Sequence, residues 1–190
     1  MKEIEMALPS LIFSRREKRE ISIEKTDVEI KETFNELFIP LSRNLYNFIF
    51  KSTNFSEDAN DVFQETVMRA LKYFKKFDRT KSFKPWIFTI ANNEIKRHFK
   101  NKSFLYSDKN VDALCEKFHD EAERKLVKAI YIVAENLKPR DRQVFFLFYD
   151  NGFSITEISV MTGIKTGYIK VILSNARKAV RKLLEVRNEK

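Results

Sequence analysis

Cysteine is almost absent from this chain. The single cysteine, Cys115, cannot form an internal disulfide, and no set of Cys and His residues has the spacing of a metal site. Cytosolic thiols stay reduced, so a chain with one cysteine fits residence in the cytoplasm. We therefore expect a cytoplasmic protein that needs no metal and no other cofactor.

Glycine and proline are also scarce, with three and four among 190 residues. A many-stranded β fold needs such residues at its turns, so this composition favours long helices. No run approaches the roughly 20 apolar residues of a membrane span, which predicts a chain without stable membrane insertion. Hydrophobic residues make up 43% of the sequence, enough for a packed core.

The net charge of +9 is concentrated in two blocks. Residues 72–102 hold ten Lys or Arg against two acids, a local charge of +8. Residues 138–190 hold eleven against five, a local charge of +6, so the rest of the chain is acidic. Two separate basic surfaces indicate two contacts with a polyanion such as DNA, although solvated helix faces alone would give the same counts.

Helical periodicity predicts an all-α protein of two small domains. Apolar residues recur at three- and four-residue spacings from Thr33 to Thr53, then to about Phe74, and again from about Phe83. The period is lost near Ser103 and resumes at Glu121. We predict an N-terminal extension over 1–27, a first domain over 28–102, a flexible linker over 103–120 and a second domain over 121–190.

The second domain carries a helix-turn-helix pattern. Ser154 and Glu157 have the spacing of a capping box that opens a short helix. Gly163 follows as a turn residue, and a longer helix starts near Thr166 with an apolar stripe on one side and basic residues on the other. A plain helical hairpin is the alternative, but the capping box, the glycine and the basic face together favour a helix sized for the major groove.

The first domain places an acidic helix face beside a basic aromatic block. The acidic face holds Asp58, Asp61, Gln64 and Glu65 at three- and four-residue spacings. An isolated acidic face is usually only solvated; the alternative interpretation is that it docks on another protein. In the basic block, aromatic rings alternate with Lys and Arg, a pattern that suits unpaired nucleic-acid strands. We expect Trp86 to lie in the core and Phe77, in a polar connector, to be exposed.

Three stretches together resemble the extracytoplasmic-function (ECF) sigma factors, a group of the sigma-seventy family. They are DANDVFQETVMRALKYFKKF (58–77), SFKPWIFTIANNEIKRHFK (82–100) and the helix-turn-helix stretch from Leu137 to Leu184. The resemblance covers about 34–102, the family's region two, and 121–184, its region four. It implies a transcription initiation factor that binds core RNA polymerase, directs it to promoters and helps to melt promoter DNA, without catalysing a reaction.

For region two, the resemblance implies two sets of site residues. Asp61, Gln64 and Glu65 match the motif that docks on the β′ clamp helices of core polymerase, and Asp58 lies on the same face. Phe77 and Asn93 match positions that capture a flipped base of the minus-ten element, where the DNA is melted. Trp86 matches the tryptophan of the melting region. The promoter-facing helix adds three further candidates for phosphate or base contact, which are Asn92, Lys96 and Arg97.

For region four, the resemblance implies contacts with duplex DNA at the minus-thirty-five element and with the polymerase β flap. The expected DNA contacts are Lys165, Thr166, Lys170, Val171, Ser174, Asn175, Arg177 and Lys178. The sequence departs from the family pattern at Val171 and Ile172, which replace a common Ser and Arg, and at Tyr168, which replaces a common Thr. Val171 can touch a thymine methyl but cannot hydrogen-bond a base edge, so we expect an unusual promoter preference.

An anti-sigma factor is a further partner that the resemblance implies. One alternative from the residues alone is a dimeric regulator that binds a palindromic operator through the helix-turn-helix. This alternative explains the second domain but leaves the acidic helix of the first domain without a role. An enzyme is disfavoured because no acid–base or metal constellation is present, so we expect no catalytic residues.

Overall fold

The computed structural model describes residues 15–54, 57–101 and 120–188, and every regular element in these ranges is an α-helix. The prediction of an all-α fold is confirmed. In chain order the helices are α1 Arg15–Ser52, α2 Asp58–Phe74, α3 Phe83–Asn101, α4 Glu121–Asn136, α5 Pro139–Tyr149, α6 Ile155–Thr162 and α7 Thr166–Asn188. None of these helices is long and apolar enough to cross a membrane.

The first domain consists of α1, α2 and α3 packed around aromatic rings. Phe34, Phe74 and Phe83 come from three different helices, and their ring centroids lie 5.2–5.9 Å apart in edge-to-face pairs. Such pairs stabilise a core beyond the area that they bury. α1 begins at Arg15, so part of the 1–27 segment that we predicted as an extension is continuous with the first helix of the domain.

The connector after α2 folds back on this core. The amides of Lys76 and Phe77 donate to the carbonyls of Tyr73 and Phe74 at 2.9 and 3.0 Å, which tightens the chain into a turn. As a result, Phe77 is only 8% exposed. The prediction of an exposed Phe77 ring is therefore wrong, because the turn carries the ring inward even though its sequence neighbours are polar.

The second domain consists of α4 to α7, and its helix ends follow local sequence signals. Asp120 caps α4 by accepting from the amides of Ala122 and Glu123, and Pro139 occupies the first turn of α5. The predicted capping box of Ser154 and Glu157 is present at α6. Gly163 ends α6 with φ of 74°, a left-handed conformation that side chains resist.

The two domains pack directly against each other. α5 lies against α1, and α6 lies against α3. Between them, the rings of Phe88 and Phe153 meet edge-to-face at 5.2 Å, and the buried apolar cluster continues from one domain into the other. The predicted linker over 103–120 lies, apart from Asp120, outside the described residues.

Candidate nucleic-acid and protein interfaces

The acidic face of α2 is open to solvent. Asp61, Gln64 and Glu65 are exposed, whereas the opposite side of the helix buries Val62, Thr66 and Ala70. The helix is therefore held by its apolar side and presents its acidic side outward. Arg69 lies beside this face, with its Nε 3.9 Å from a Glu65 oxygen.

Asp58 differs from the other three residues of this face. It is half-buried, and its carboxylate lies 3.2 Å from Nε2 of His98 on α3. This contact ties the first turn of α2 to the last turns of α3. Asp58 therefore supports the acidic face structurally, in addition to any contact with a partner.

Phe77 and Trp86 line a groove of about 510 Å³ where the two domains meet. The two rings lie 4.8 Å apart, and Phe77 also stacks on Phe74 at 5.9 Å. Trp86 is half-buried, partly in the core as predicted. The other wall of the groove comes from α6, including Val160 and Met161. Phe77 is 8% exposed, so its ring offers little surface to a ligand here.

Besides Trp86, the four candidate residues of α3 fall into two groups. Asn93 and Arg97 are exposed, and Arg97 donates to a Glu94 oxygen at 2.7 Å. Asn92 is completely buried, and its Nδ2 donates to the carbonyl of Met161 at 3.2 Å. Lys96 is exposed in part, and its ammonium donates to the carbonyl of Thr162 at 2.9 Å. Burial and the nearby charge of Arg140 lower the pKa of Lys96.

This arrangement corrects one part of the sequence interpretation. The resemblance places Asn92 on a promoter-facing helix, but its side chain is completely buried and donates to Met161 of the second domain. The sequence carries no sign of this contact, because Asn92 and Met161 are far apart along the chain and meet only when the domains pack.

On α7, most of the candidate DNA contacts share a solvent-facing side. The exposed candidates are Lys165, Thr166, Lys170, Val171, Asn175, Arg177 and Lys178, and Ser174 is half-buried. Ile169, Leu173 and Ala176 face the core. Ile172 also belongs to the core, at 4% exposure. Of the three departures from the family pattern, therefore, Val171 and Tyr168 are presented to solvent, at 50% and 44% exposure, and Ile172 is not.

A second groove, of about 560 Å³, runs between α4 and α7. Its lining is mainly apolar and includes Ile132, Val133 and Leu137 from α4, with Ala179 and Leu183 from α7. Asn175 lies at its edge. This groove is on a different part of the second domain from α6, the helix that packs against α3.

Sequence reasoning missed Glu94, a buried carboxylate at 6% exposure. It lies 2.8 Å from Nε of Arg69 and 2.7 Å from Nη1 of Arg97, so it joins α2 to the candidate DNA surface. The three-residue spacing of Glu94 and Arg97 is a local signal that can indicate such a pair. The contact between Glu94 and Arg69 has no such local signal, because the two residues lie on different helices. Among the described residues, no group of His, Cys, Asp and Glu is arranged to hold a metal ion.

The fold and these surfaces define a class of protein. One domain presents a basic helix-turn-helix, and the other combines an exposed acidic helix with a basic helix beside an aromatic groove, as expected of a transcription factor with a protein-docking face. The family model of sigma-70 region 2 matches residues 37–104, and that of sigma-70, region 4 matches residues 129–180. Together the two models match more than half of the chain, which therefore belongs to the sigma-70 family and is a transcription initiation factor.

Curated relatives agree with this assignment. The chain is 25% identical over 169 residues to the ECF RNA polymerase sigma factor BldN of Streptomyces coelicolor, covering 85% of this chain and 64% of that protein. It is 26% identical over 157 residues to the ECF RNA polymerase sigma factor SigM of Bacillus subtilis, covering 80% of this chain and 94% of that protein. The chain thus spans nearly all of SigM and slightly less than two thirds of BldN.

Two solved structures share the fold. The sigma factor RpoE of Bartonella quintana, in complex with the anti-sigma factor NepR, matches with a TM-score of 0.67 and 22% identity, covering 82% of this chain and 98% of that one. CnrH, in complex with the cytosolic domain of CnrY, matches with a TM-score of 0.60 and 22% identity, covering 82% and 90%.

Proposed function

We propose that α2 docks this chain on core RNA polymerase and that α3 and α7 direct the complex to promoters. The exposed face of Asp61, Gln64 and Glu65 is the observation on which this rests. The opposite face of α2 is buried, so these three side chains point outward. They also match the family motif that binds the β′ clamp helices. An exposed acidic patch suits a basic partner surface.

The DNA contacts divide between the two domains. In the second domain, the exposed side of α7 enters the major groove of the minus-thirty-five element, where Lys170, Arg177 and Lys178 neutralise phosphates and Val171 contacts a base methyl. In the first domain, Asn93 and Arg97 hold the minus-ten strand, and the groove at Phe77 and Trp86 receives a base. Flipping a base costs a few kcal/mol, which stacking and hydrogen bonds in a pocket offset.

Two further protein contacts belong to the proposal. The apolar groove between α4 and α7 is the site that we assign to the polymerase β flap, since its lining is mainly apolar and suits a protein partner better than a phosphate backbone. An anti-sigma factor is the expected regulator, and the RpoE structure above was solved with such a partner. The chain works in the cytoplasm and catalyses no reaction itself.

The dimeric operator-binding regulator is the second class of function that the sequence left open. It accounts for α6 and α7 alone. The match of residues 37–104 to sigma-70 region 2 favours the initiation factor.

The test is co-elution with purified bacterial core RNA polymerase. We expect the native chain to bind stoichiometrically and the triple variant Asp61→Ala/Gln64→Ala/Glu65→Ala to lose binding. The chain offers a matched control on α1, Glu32→Ala/Asn35→Ala/Glu36→Ala, which removes two acids and one amide at the same spacing from exposed positions. Equal loss in both variants, or no binding by the native chain, contradicts the assignment of α2 as the docking helix.

A further inference from the structure

Tyr168 lies in the first turn of α7 and faces solvent. The amides of Tyr168 and Ile169 donate to the carbonyl of Lys165 at 2.9 and 3.1 Å, so this turn is regular helix. Tyr168 is 44% exposed, and Val171, which follows one turn later on the same face, is 50% exposed. In a helix-turn-helix, the N-terminal residues of the second helix are the ones that contact base edges. Tyr168 and Val171 are therefore both placed to meet bases.

The ring of Tyr168 is held by Arg140, the second residue of α5. The guanidinium carbon of Arg140 lies 5.0 Å from the ring centroid, a distance at which a cation is attracted to an aromatic face. The Nε of Arg140 also lies 3.6 Å from an Asp141 oxygen, which further restrains the guanidinium. With a cation over one face, the exposed remainder of the ring is the part that a ligand can reach.

Gly167 keeps the surface beside Tyr168 open. A Cβ built on Gly167 would meet nothing within 4 Å, and its φ lies outside the left-handed region. Alanine would therefore fit at this position, and alanine forms helices better than glycine does. The fold itself does not require a glycine here. The missing side chain allows a partner's backbone to approach the first turn of α7 closely.

The exposed groups of this turn have the chemistry to contact thymine. Thymine is the base that carries a methyl group in the major groove, and apolar side chains recognise it by contact with that methyl. Val171 is aliphatic and cannot hydrogen-bond a base edge. The Tyr168 ring adds a second apolar surface one helical turn away, with its hydroxyl at the far end. The two side chains therefore suit two thymine methyl groups better than a pattern of donors and acceptors.

We propose that Tyr168 and Val171 together read thymine methyl groups of the minus-thirty-five element, and that Arg140 is the positioning residue that holds the Tyr168 ring for this contact. The inference deepens the proposed function and rests on it, because it names the bases that α7 prefers in the major groove. The promoters of this chain should carry thymines where the first turns of α7 meet the DNA.

The first experiment removes the methyl group from the DNA and leaves the protein intact. The complex of the chain with core polymerase selects duplexes from a random pool, and deoxyuridine then replaces each thymine of the selected upstream element in turn. Deoxyuridine keeps every hydrogen-bonding group of thymine and lacks only the methyl. We expect binding to weaken about fourfold at two of these positions, the effect of one buried methyl-sized group. A selected element without thymine, or equal binding at every replacement, overturns the proposal.

The second experiment measures the ratio of thymine to deoxyuridine affinity in protein variants. Tyr168→Ala should abolish the preference for thymine at one position, and Val171→Ala should reduce it at the other. Tyr168→Phe keeps the ring and should keep the ratio. Arg140→Lys keeps the charge but loses the planar guanidinium, so the ratio should fall while the salt dependence stays native. The matched control is Lys178→Ala, which should weaken both DNAs alike because it removes a phosphate contact.

Two results of the second experiment overturn the role of the Tyr168 ring. A native ratio in Tyr168→Ala shows that the ring touches no methyl group. Equal weakening of both DNAs by Tyr168→Phe shows that the hydroxyl binds the phosphate backbone. Circular dichroism of each variant establishes that the helices are intact, so that a change of ratio is assigned to the contact with DNA.

Gly167→Ala tests the close approach by itself. We expect an unchanged or higher melting temperature together with weaker binding of both DNAs. Native affinity in this variant contradicts the placement of the first turn of α7 against DNA, and with it the proposal.

Failure of the inference differs from failure of the proposed function. A complex that forms with core polymerase and selects one sequence, but is insensitive to loss of the methyl groups, removes the inference and leaves the function standing. A native chain that does not co-elute with core polymerase, or selects no common sequence, removes both.

Discussion

Glu94 and Arg69 connect α3 to α2 through an ion pair of 2.8 Å between a buried carboxylate oxygen and a partly exposed guanidinium. The second oxygen of Glu94 binds Arg97, which is 49% exposed. One buried carboxylate thus holds an arginine next to the acidic docking face and another on the candidate DNA surface. The contact joins the two surfaces of the first domain in a fixed geometry.

The variant Glu94→Gln should therefore destabilise the first domain. Removing the charge leaves two arginines without their common partner, a strongly unfavourable change when the pair is fully buried. Solvent reaches both arginines here, so we expect a loss of about 1–2 kcal/mol in the free energy of unfolding. Urea unfolding followed by circular dichroism measures it, with Glu121→Gln as the control, since Glu121 is an exposed residue of α4 with an ion pair to Lys125 and the midpoint of this variant should move much less. Equal midpoints for Glu94→Gln and the native chain contradict a bridging role.

Arg142 should be the most sensitive position of the second domain. It is 1% exposed, and its guanidinium donates to the carbonyls of Ala134, Glu135 and Leu137 at 2.7–3.2 Å. These carbonyls lie at and just after the end of α4, where helical N–H partners run out, although that of Ala134 also accepts from the amide of Leu137 at 3.2 Å. Arg142→Met keeps the apolar stem but removes these three hydrogen bonds of the buried guanidinium, which should cost about 3 kcal/mol. Thermal unfolding compared with exposed Arg181→Met checks this, and similar melting temperatures for the two variants refute it.

The capping box of α6 should contribute a stability that depends on pH. Ser154 donates from its hydroxyl and its amide to the Glu157 carboxylate, which lowers the pKa of Glu157 below its ordinary 4.5. A lowered carboxylate pKa stabilises the fold above the ordinary pKa, and this contribution is lost as the pH falls through the folded value. The stability difference between the native chain and Glu157→Gln should thus be largest near neutral pH and shrink below pH 4.5.

Ser154→Ala tests the same motif from its other side. The loss of an N-cap hydroxyl typically costs about 1 kcal/mol, and part of the pH dependence should disappear with it. Urea midpoints of the two variants between neutral and acidic pH give the comparison. A stability difference between the native chain and either variant that grows toward acidic pH contradicts this mechanism.

Two neighbouring positions of α7 should separate affinity from specificity. Lys170→Ala removes a phosphate contact, so the plot of log affinity against log salt for promoter DNA should become shallower by about 0.9. Val171→Ser adds a hydrogen-bonding group toward the bases and should change the preferred sequence with the salt slope intact. Binding titrations at several salt concentrations, together with selection from a random DNA pool, measure both effects. A changed slope for Val171→Ser, or none for Lys170→Ala, contradicts the placement of α7.

Most of the secondary structure followed from local patterns. The capping box at Ser154, the glycine turn at Gly163 and the start of α7 at Thr166 were all predicted, because each depends on residues within one or two turns. The docking role of the acidic face on α2 was predicted from a family motif. The exposure of this face was predicted from the three- and four-residue spacing of its polar residues. The Phe77 prediction was wrong because a polar neighbourhood in sequence says little about a ring that a tight turn brings onto Trp86.

The sequence by itself determined the helices, their order and the family, since these depend on periodicity, caps and motifs that are written in short segments. Only the tertiary structure decided which candidate groups are free. Asn92 donates to Met161, Lys96 to Thr162, and Lys51 pairs with Asp150, each across a long stretch of chain. Such contacts form when two amphipathic domains bury their remaining apolar surfaces against each other, and no local pattern encodes which polar groups then meet.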